Sequence, residues 1–494
     1  MRKVFVLFAA LPFLMALMAG CGGSGHHTTA NSVPIVLTIQ DQSTIPSGLT
    51  VVSLTVQVTG VTLQGTTGSS STSLLSSPVT VNLSNLQTMN ELLANTSADA
   101  GTFNSIMITF ANASATILNN STTTFTDGTT SCPPATSNTT TCTLAPAFNP
   151  TSVTISTAPF PLTLTANTPI NINIDFNTGE SFANSNGTLS LAPSVTVTTN
   201  TTTNATTGNL NDFVNVTGQV TAVGTNQVTV TDTETGQTLT LGTTNNTVFN
   251  NFNTSSTCTT ANTFACVQKD QIVSLNFGTT GASGSTATIS SISLQNGITQ
   301  GVTGTVIGVT PGSNTAEVVI TGITPAFATA NSGVKVGQVV TVTTNPQTTF
   351  SIQSNGATLP SGLNFASLGD VGVGQSVVLN STAFTAGTGG APGMLTADQV
   401  MLAPTQFTGT INTLNTGNQS FTTNGLNGLF TSNDVNQVTV DTGTGTTFTG
   451  VTGFSGLVSG NNVTMGGLLF QTSTGPVLVG QQVGVTTTTT TAAD

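Results

Sequence analysis

Few side chains in this sequence can do chemistry. Among 494 residues there are five cysteines, two histidines, four lysines and arginines together, sixteen acids, and no tryptophan or tyrosine. His26 and His27 stand side by side in a Gly-, Ser- and Thr-rich stretch, where they read as solvated linker residues rather than ligands. Without a further histidine, no Ser-His-Asp or Cys-His relay can be assembled in the rest of the chain. Lys269 and Lys335 sit beside the turn of a repeated strand, a place that suits a solvated turn better than a catalytic base. A glycosidase would need two facing carboxylates, and no acid here recurs in a motif. Asp232-Thr233-Glu234-Thr235-Gly236 spaces oxygen ligands at alternate positions ahead of a glycine, which makes Asp232 and Glu234 candidates for calcium. The distal Glu of an EF-hand is missing, and the segment lies between Val228/Val230 and Leu239/Leu241, where a hairpin turn explains it fully. The expectation is a protein without enzymatic activity and without a cofactor.

The cysteine with the clearest assignment is Cys21. Arg2 and Lys3 precede an apolar run from Val4 to Ala19, interrupted only by Pro12. Its sixteen residues fall short of the roughly 20 that a membrane-spanning helix needs, and match the core of a signal peptide. Met18-Ala19-Gly20-Cys21 follows directly and resembles the lipobox read by the lipoprotein signal peptidase, with Met18 where that pattern prefers Leu. The resemblance implies cleavage before Cys21 and lipidation of its side chain. Two alternatives stay open: an ordinary cleaved signal with an incidental cysteine, and an uncleaved anchor. Gly22-Gly23-Ser24-Gly25 reads as a flexible tether. Gly22, rather than Asp, suggests the outer membrane where enterobacterial sorting applies. The expected address is export, with lipid anchorage to the cell envelope, facing the periplasm or the cell surface.

The other cysteines fall into two close pairs, Cys132 with Cys142 and Cys258 with Cys266, ten and eight residues apart. Neither pair has the CxxC spacing or the nearby histidine of a metal site. In an exported chain they are expected to be two local disulfides, the favoured one of three connectivities.

These residues must be positioned by β-structure. Once Arg2 and Lys3 leave with the signal, Lys269 and Lys335 are the only basic residues against sixteen acids. Such a surface repels nucleic acid and anionic lipid, and without Tyr or Trp it offers only Phe for base stacking. The polar load is Thr, Asn, Ser and Gln alternating with Val, Leu and Ile, the pattern of half-buried strands. Val52, Leu54, Val56 and Val58 keep this alternation until Gly60, where the phase moves to Val61 and Leu63, as at a bulge. Leu86–Ala94, with Met89, Leu92 and Leu93, is the one segment that suggests a helix. Further strands are expected around Val79–Leu83, Ile106–Phe110, Val153–Ile155, Leu162–Leu164, Ile170–Phe176 and Val195–Val197, enough for an antiparallel β-sandwich over residues 33–199.

The order Val81-Asn82-Leu83, Ala100-Gly101-Thr102-Phe103, Ile172-Asn173-Ile174-Asp175-Phe176 and Gly187-Thr188-Leu189-Ser190-Leu191-Ala192-Pro193 resembles domain-of-unknown-function family 4382, found in secreted lipoproteins. This chain departs from it at Asp99, where the family tends to have Pro, and at Phe103, where it tends to have Tyr. It departs again at Ile39-Gln40-Asp41-Gln42, where the family tends to have Thr-Asp-Ala-Pro. After a linker at 200–212 the sequence repeats. Val216-Thr217-Gly218-Gln219-Val220 recurs at Val302–Val306 and as Phe407-Thr408-Gly409-Thr410-Ile411. A Val-x-x-Gly-Gln-x-Val element is read at Val267–Val273, Val334–Val340, Val371–Val377 and Val479–Val483, and Thr-rich segments end in Phe249, Phe350 and Phe448. The repeats resemble domain-of-unknown-function family 5666, which implies small OB-like β-barrels at 213–296, 297–404 and 405–485.

The organisation expected is thus a signal peptide at 1–20, a lipidated Cys and tether at 21–32, the sandwich, the linker, three barrels and a tail at 486–494. The function expected is a non-enzymatic, lipid-anchored envelope protein. It would meet the membrane through its N-terminal lipid, would display β domains to an envelope protein or polysaccharide, and would not bind nucleic acid. A carbohydrate-binding or adhesive surface lipoprotein is the alternative.

Overall fold

In the computed structural model the described residues are 31–41, 49–65, 71–86, 90–135, 141–203, 208–252, 258, 262–280, 287–295, 298–354, 359–387 and 392–485. Cys21, His26, His27, the signal segment and the tail at 486–494 lie outside them. Within them the protein is almost wholly β, and no helix is long and apolar enough to cross a membrane.

The first unit is a sandwich. One sheet has the order Val195–Asn200, Ile170–Phe176, Ser32–Gln40, Glu91–Asp99. The facing sheet is built on two long paired strands, Leu49–Gly65 and Gly101–Asn119, flanked by shorter strands including Val79–Asn82, Ser152–Ile155 and Thr141–Leu144. Leu54, Val56, Val58, Ile106, Ile108 and Phe110 meet Ile35, Leu37, Ile172 and Ile174 in one core. Phe110 stacks on Phe148 and meets Phe176 edge-on, at centroid distances of 5.5 and 5.3 Å, spacings at which aromatic pairs attract beyond their burial. The pairing of Leu49–Gly65 slips between Val58 and Gly60, at the point where the apolar phase of the sequence shifts.

Two expectations need correction. The sandwich is not wholly antiparallel: Ser32–Gln40 runs parallel to Ile170–Phe176. The helix expected at Leu86–Ala94 is not formed either. A 3-10 turn at Leu83–Asn85 is followed by residues 87–89, outside the described set, and then by the strand Glu91–Asp99, paired with Ser32–Gln40. The reason is two-sided burial. Leu93 enters the sandwich core, while its neighbour Leu92, with Val36, joins the core of the next unit. A strand covered on both faces reads as a continuous apolar run, which periodicity cannot tell from a helix.

The remaining chain forms three units of one topology. The second unit has strands Asn211–Gly224, Gln227–Asp232, Thr238–Gly242, Ile272–Thr279 and Thr288–Leu294. The third has Gly301–Thr310, Thr315–Ile323, Val339–Thr343, Ser376–Asn380 and a last strand in two pieces, Gly393–Thr396 and Gln399–Ala403. The fourth has Thr405–Asn415, Ser420–Asn424, Val438–Thr449, Asn462–Thr472 and Gly475–Val485, and closes into a barrel. In each, the first strand pairs with the second and fourth, and the third runs parallel to the fifth. That is the connectivity of a five-stranded OB-type barrel. Phe249, Phe350 and Phe448 hold equivalent places, beside Ile292, Val400 and Val483 of the fifth strand. Gly218, Gly304 and Gly409 mark where the first strand is crossed tightly by the second: a Cβ on Gly304 would lie 2.4 Å from Val318 Cγ1 and 2.6 Å from the Val319 carbonyl oxygen. The boundary of the second unit reaches into the expected linker, since Leu210 is buried in its core and its N–H donates to the Thr279 carbonyl.

The repeated Gly-Gln element is a turn that enters a strand. Asp270, Gly337, Gly374 and Gly460 have positive φ, and their N–H groups donate to Val220, Ile320, Val306 and Ile411 at 2.8–2.9 Å. The next side chain's amide oxygen, on Gln271, Gln338, Gln375 or Asn461, accepts from a backbone N–H three residues earlier. The copy in the last barrel is therefore at Leu457–Val463, with Asn in place of Gln. Val479–Val483 lies inside the strand Gly475–Val485 and is not a copy.

The four units pack on one another. Leu468, Phe470 and Val479 of the fourth enter the core of the third. Ile272 and Ile298 meet Val378, Met401 and Ala403, and Val52 of the sandwich joins Ile307, Val319 and Leu429. Thr116 Oγ1 of the sandwich donates to the Gly337 carbonyl, and Gln237 Nε2 donates to Leu92 O at 3.0 Å.

Candidate ligand cleft at the junction of the four units

All four units contribute to a single cleft. The sandwich supplies Val51, Val52, Leu86 and Glu91, and the second unit supplies Val214–Thr217, Asp232 and Glu234. The third supplies Thr303, Thr305 and Gln353, and the fourth Thr405, Leu429 and Phe430. The space open to water inside it is about 130 Å³, well above the ~10–15 Å³ that one water requires.

Local backbone features aim these residues. The first strand of the second unit bulges between Phe213 and Val216, with Asn215 at φ 57° and its N–H donating to Asn276 Oδ1 at 2.7 Å. Bulges re-aim side chains in this way beside binding sites. Asp232 ends the second strand, and its carboxylate accepts from the N–H groups of Glu234 and Thr235 at 2.7 and 3.1 Å. The Asp232 carbonyl accepts from the Gly236 N–H at 3.0 Å. Asp232 thus shapes the hairpin through one carboxylate oxygen while lining the cleft. Asn427 caps the short helix Gly428–Thr431, which carries Leu429 and Phe430 to the rim.

The electrostatics of the cleft are one-sided. Glu91 is half-buried at the edge of its sheet. Loss of solvent, then Asp232 and then Glu234, push its carboxyl well above the usual carboxylate range, against a hydrogen bond from the Leu92 backbone amide. Desolvation also raises Asp232, to about 6, despite the amides of Thr235 and Glu234. No lysine or arginine lines the cleft among the described residues. Gln353 is 5 % exposed. Its backbone N–H donates to Leu402 O at 2.8 Å, but its side-chain oxygen is buried without a hydrogen-bond partner among the described residues. An orphaned buried acceptor is uncommon and costly.

The two calcium candidates thus lie together in this cleft, joined by Glu91. Sequence reasoning missed Glu91, which it had placed in a helix. It missed Gln353 as well, for which no sequence signal exists. Among the described residues no three acids, cysteines or histidines converge in a way that could hold a metal ion. The four body cysteines lie elsewhere, joined as Cys132–Cys142 and Cys258–Cys266. Lys269 and Lys335 are exposed in their turns.

A second buried carboxyl stands apart from the cleft. Asp41, at the end of Ser32–Gln40, accepts from Thr178 N at 2.9 Å and Thr178 Oγ1 at 2.8 Å. Burial, with Asp175 nearby, raises it to about 7 against these hydrogen bonds.

No curated protein matches this chain. Among solved structures, one titled "drosophila Unr CSD456" aligns at 8% identity with a TM-score of 0.12, covering 56% of this chain and 98% of that one. Residues 34–193, most of the sandwich, match the family described as Domain of unknown function (DUF4382).

Proposed function

We propose that this chain is a non-enzymatic, exported protein, anchored to the cell envelope by a lipid on Cys21, whose packed β units serve as a binding body on a tether. The observation that carries the reading is the pair of short-range disulfides within folded units, since such bonds persist in oxidising compartments outside the cytoplasm. The lipobox-like Met18-Ala19-Gly20-Cys21 and the Gly/Ser stretch after it agree with that address. Several acyl chains on one residue, at about 0.8 kcal/mol per buried methylene, make an anchor that does not readily detach. The outer membrane is the proposed site, and an envelope protein or polysaccharide the proposed partner.

The test is metabolic labelling with an alkyne fatty acid in a bacterial host, followed by membrane fractionation. Label on the wild type, and its loss with release of the protein in Cys21→Ala, is the expected result. An unlabelled protein recovered from the cytoplasm with free thiols would overturn the reading.

A further inference from the structure

A separate cleft opens at one end of the second barrel. Asn226 lines it from the turn between the first two strands, and Thr244, Asn245 and Thr247 from the loop after the third. Phe249 enters from the segment beside Ile292, and Asn262 and Phe264 from the loop ahead of the fourth strand. The space open to water within it is about 660 Å³, inside the range of about 300–1,000 Å³ usual for small-molecule sites. Part of its frame is common to all three barrels. Thr243 N–H donates to the Asn226 carbonyl at 2.8 Å, Thr244 N–H to Thr247 Oγ1 at 2.9 Å, and Thr247 Oγ1 to the Ile289 carbonyl at 2.7 Å. Thr344, Asn345 and Thr348 repeat this strap with Asn314 and Ala397, and Thr442, Gly443 and Thr446 repeat it with Gln419 and Gly480. The strap ties the third strand to the fifth, so the fold alone explains it. Two features set the second barrel apart from the third. Cys258–Cys266 staples the wall that carries Asn262 and Phe264, whereas the third and fourth barrels contain no cysteine. Phe264, edge-on to Phe249 with centroids 6.3 Å apart, stays half-exposed on the cleft, while Phe365, edge-on to Phe350 at 5.7 Å, is buried. A braced wall with ring surface left open lowers the ordering cost of taking a ligand.

The lining selects the ligand. Among the described residues it is made of asparagine carboxamides, threonine hydroxyls and two phenyl rings, with no charged and no aliphatic side chain. A nucleic acid, a metal ion or an acidic polymer finds no counter-charge there. An apolar ligand would strip water from the amides without replacing its hydrogen bonds. A carboxamide holds a donor and an acceptor side by side, which matches neighbouring hydroxyls on a sugar ring. The negative face of a phenyl ring suits the ring's C–H groups. We propose, on the reading above of an exported body whose partner is a polysaccharide, that this cleft binds a short stretch of neutral glycan. The exposed amides of Asn226 and Asn245 pair with its hydroxyls, and one C–H face rests on Phe264.

Saturation-transfer NMR of the purified protein tests this, with maltohexaose, cellohexaose, mannohexaose and chitohexaose as neutral probes and hexagalacturonate as the acidic one. The expected result is saturable transfer to ring protons of at least one neutral probe, with Kd about 1 mM or tighter, and none to hexagalacturonate. Asn226→Gly keeps the positive φ of its turn and removes the amide; Asn245→Ala removes the other. Each should weaken binding about threefold or more, with circular dichroism unchanged. Asn314→Gly, the same change in the third barrel, should leave binding as it is. No transfer to any neutral probe, equal binding of hexagalacturonate, unchanged affinity in both cleft variants, or an equal loss in Asn314→Gly would overturn the proposal. The label on Cys21 is read independently: a labelled protein that binds no glycan refutes the cleft, and an unlabelled one that binds refutes the anchor.

Discussion

Asp41→Asn isolates one buried carboxyl and turns it into a measurable slope. In the unfolded chain Asp41 ionises near 3.8, and in the fold it holds its proton to about 7. Between those values the unfolded state binds fewer protons, so stability falls as pH rises. The penalty is absent below about pH 4 and complete above about pH 7. The gap between 3.8 and about 7, at 1.36 kcal/mol per pH unit, amounts to about 4 kcal/mol. Asn keeps an acceptor for the Thr178 N–H, loses the charge and does not titrate. The stability of wild type minus that of Asp41→Asn should therefore drop by about 4 kcal/mol between pH 4 and pH 8. Urea unfolding followed by far-ultraviolet circular dichroism suits the measurement, because urea is uncharged and the chain has no Trp or Tyr for intrinsic fluorescence. A difference that stays constant across this range would refute the reasoning, because Asp41 would then be ionised in the fold at low pH.

Further outcomes follow from packing and cross-links. Gly304→Ala forces a Cβ into Val318 and the Val319 carbonyl and should cost about 1–3 kcal/mol, whereas Gly101→Ala meets nothing within 4 Å and should stay within about 0.5 kcal/mol of wild type; thermal melts distinguish them. Gln375→Leu removes an acceptor for Gly372 N and donors to Asp370 O and Leu469 O. Stranding these buried groups should cost about 2–4 kcal/mol, seen as raised hydrogen exchange at Leu469 in the neighbouring barrel. Cys142→Ser opens the ten-residue loop to Cys132 and should cost about 3 kcal/mol. Mass spectrometry of unreduced wild-type peptides should show both local pairs, with a protease other than trypsin because Lys269 and Lys335 are the only basic residues beyond Lys3.

Much of the fold was legible because its signals are local. Alternation in Ile106–Phe110 needs only one buried face and one partly exposed one. The phase shift at Gly60 announces a slip in pairing, and the thrice-repeated Gly-x-Val strand announces three units. Reading failed where a residue's neighbours come from another unit. Leu92 and Leu93 resemble a helix face only because each side of their strand is buried by a different unit. Val479–Val483 resembles the turn element by composition, while Leu457–Val463, which performs it, was hidden by a Gln-to-Asn exchange that leaves the capping amide oxygen in place.

By itself, the sequence determined the all-β class, the recurrence of a strand motif after residue 213 and the close cysteine pairs. Each follows from period, spacing or composition along the chain. The tertiary structure alone decided that the four units pack together, that Glu91, Asp232 and Gln353 share one cleft, and that Asp41 is buried. The physical reason is that desolvation and charge coupling depend on what surrounds a group in space. Residues 91, 232 and 353 carry no mark in the sequence of the walls they come to share.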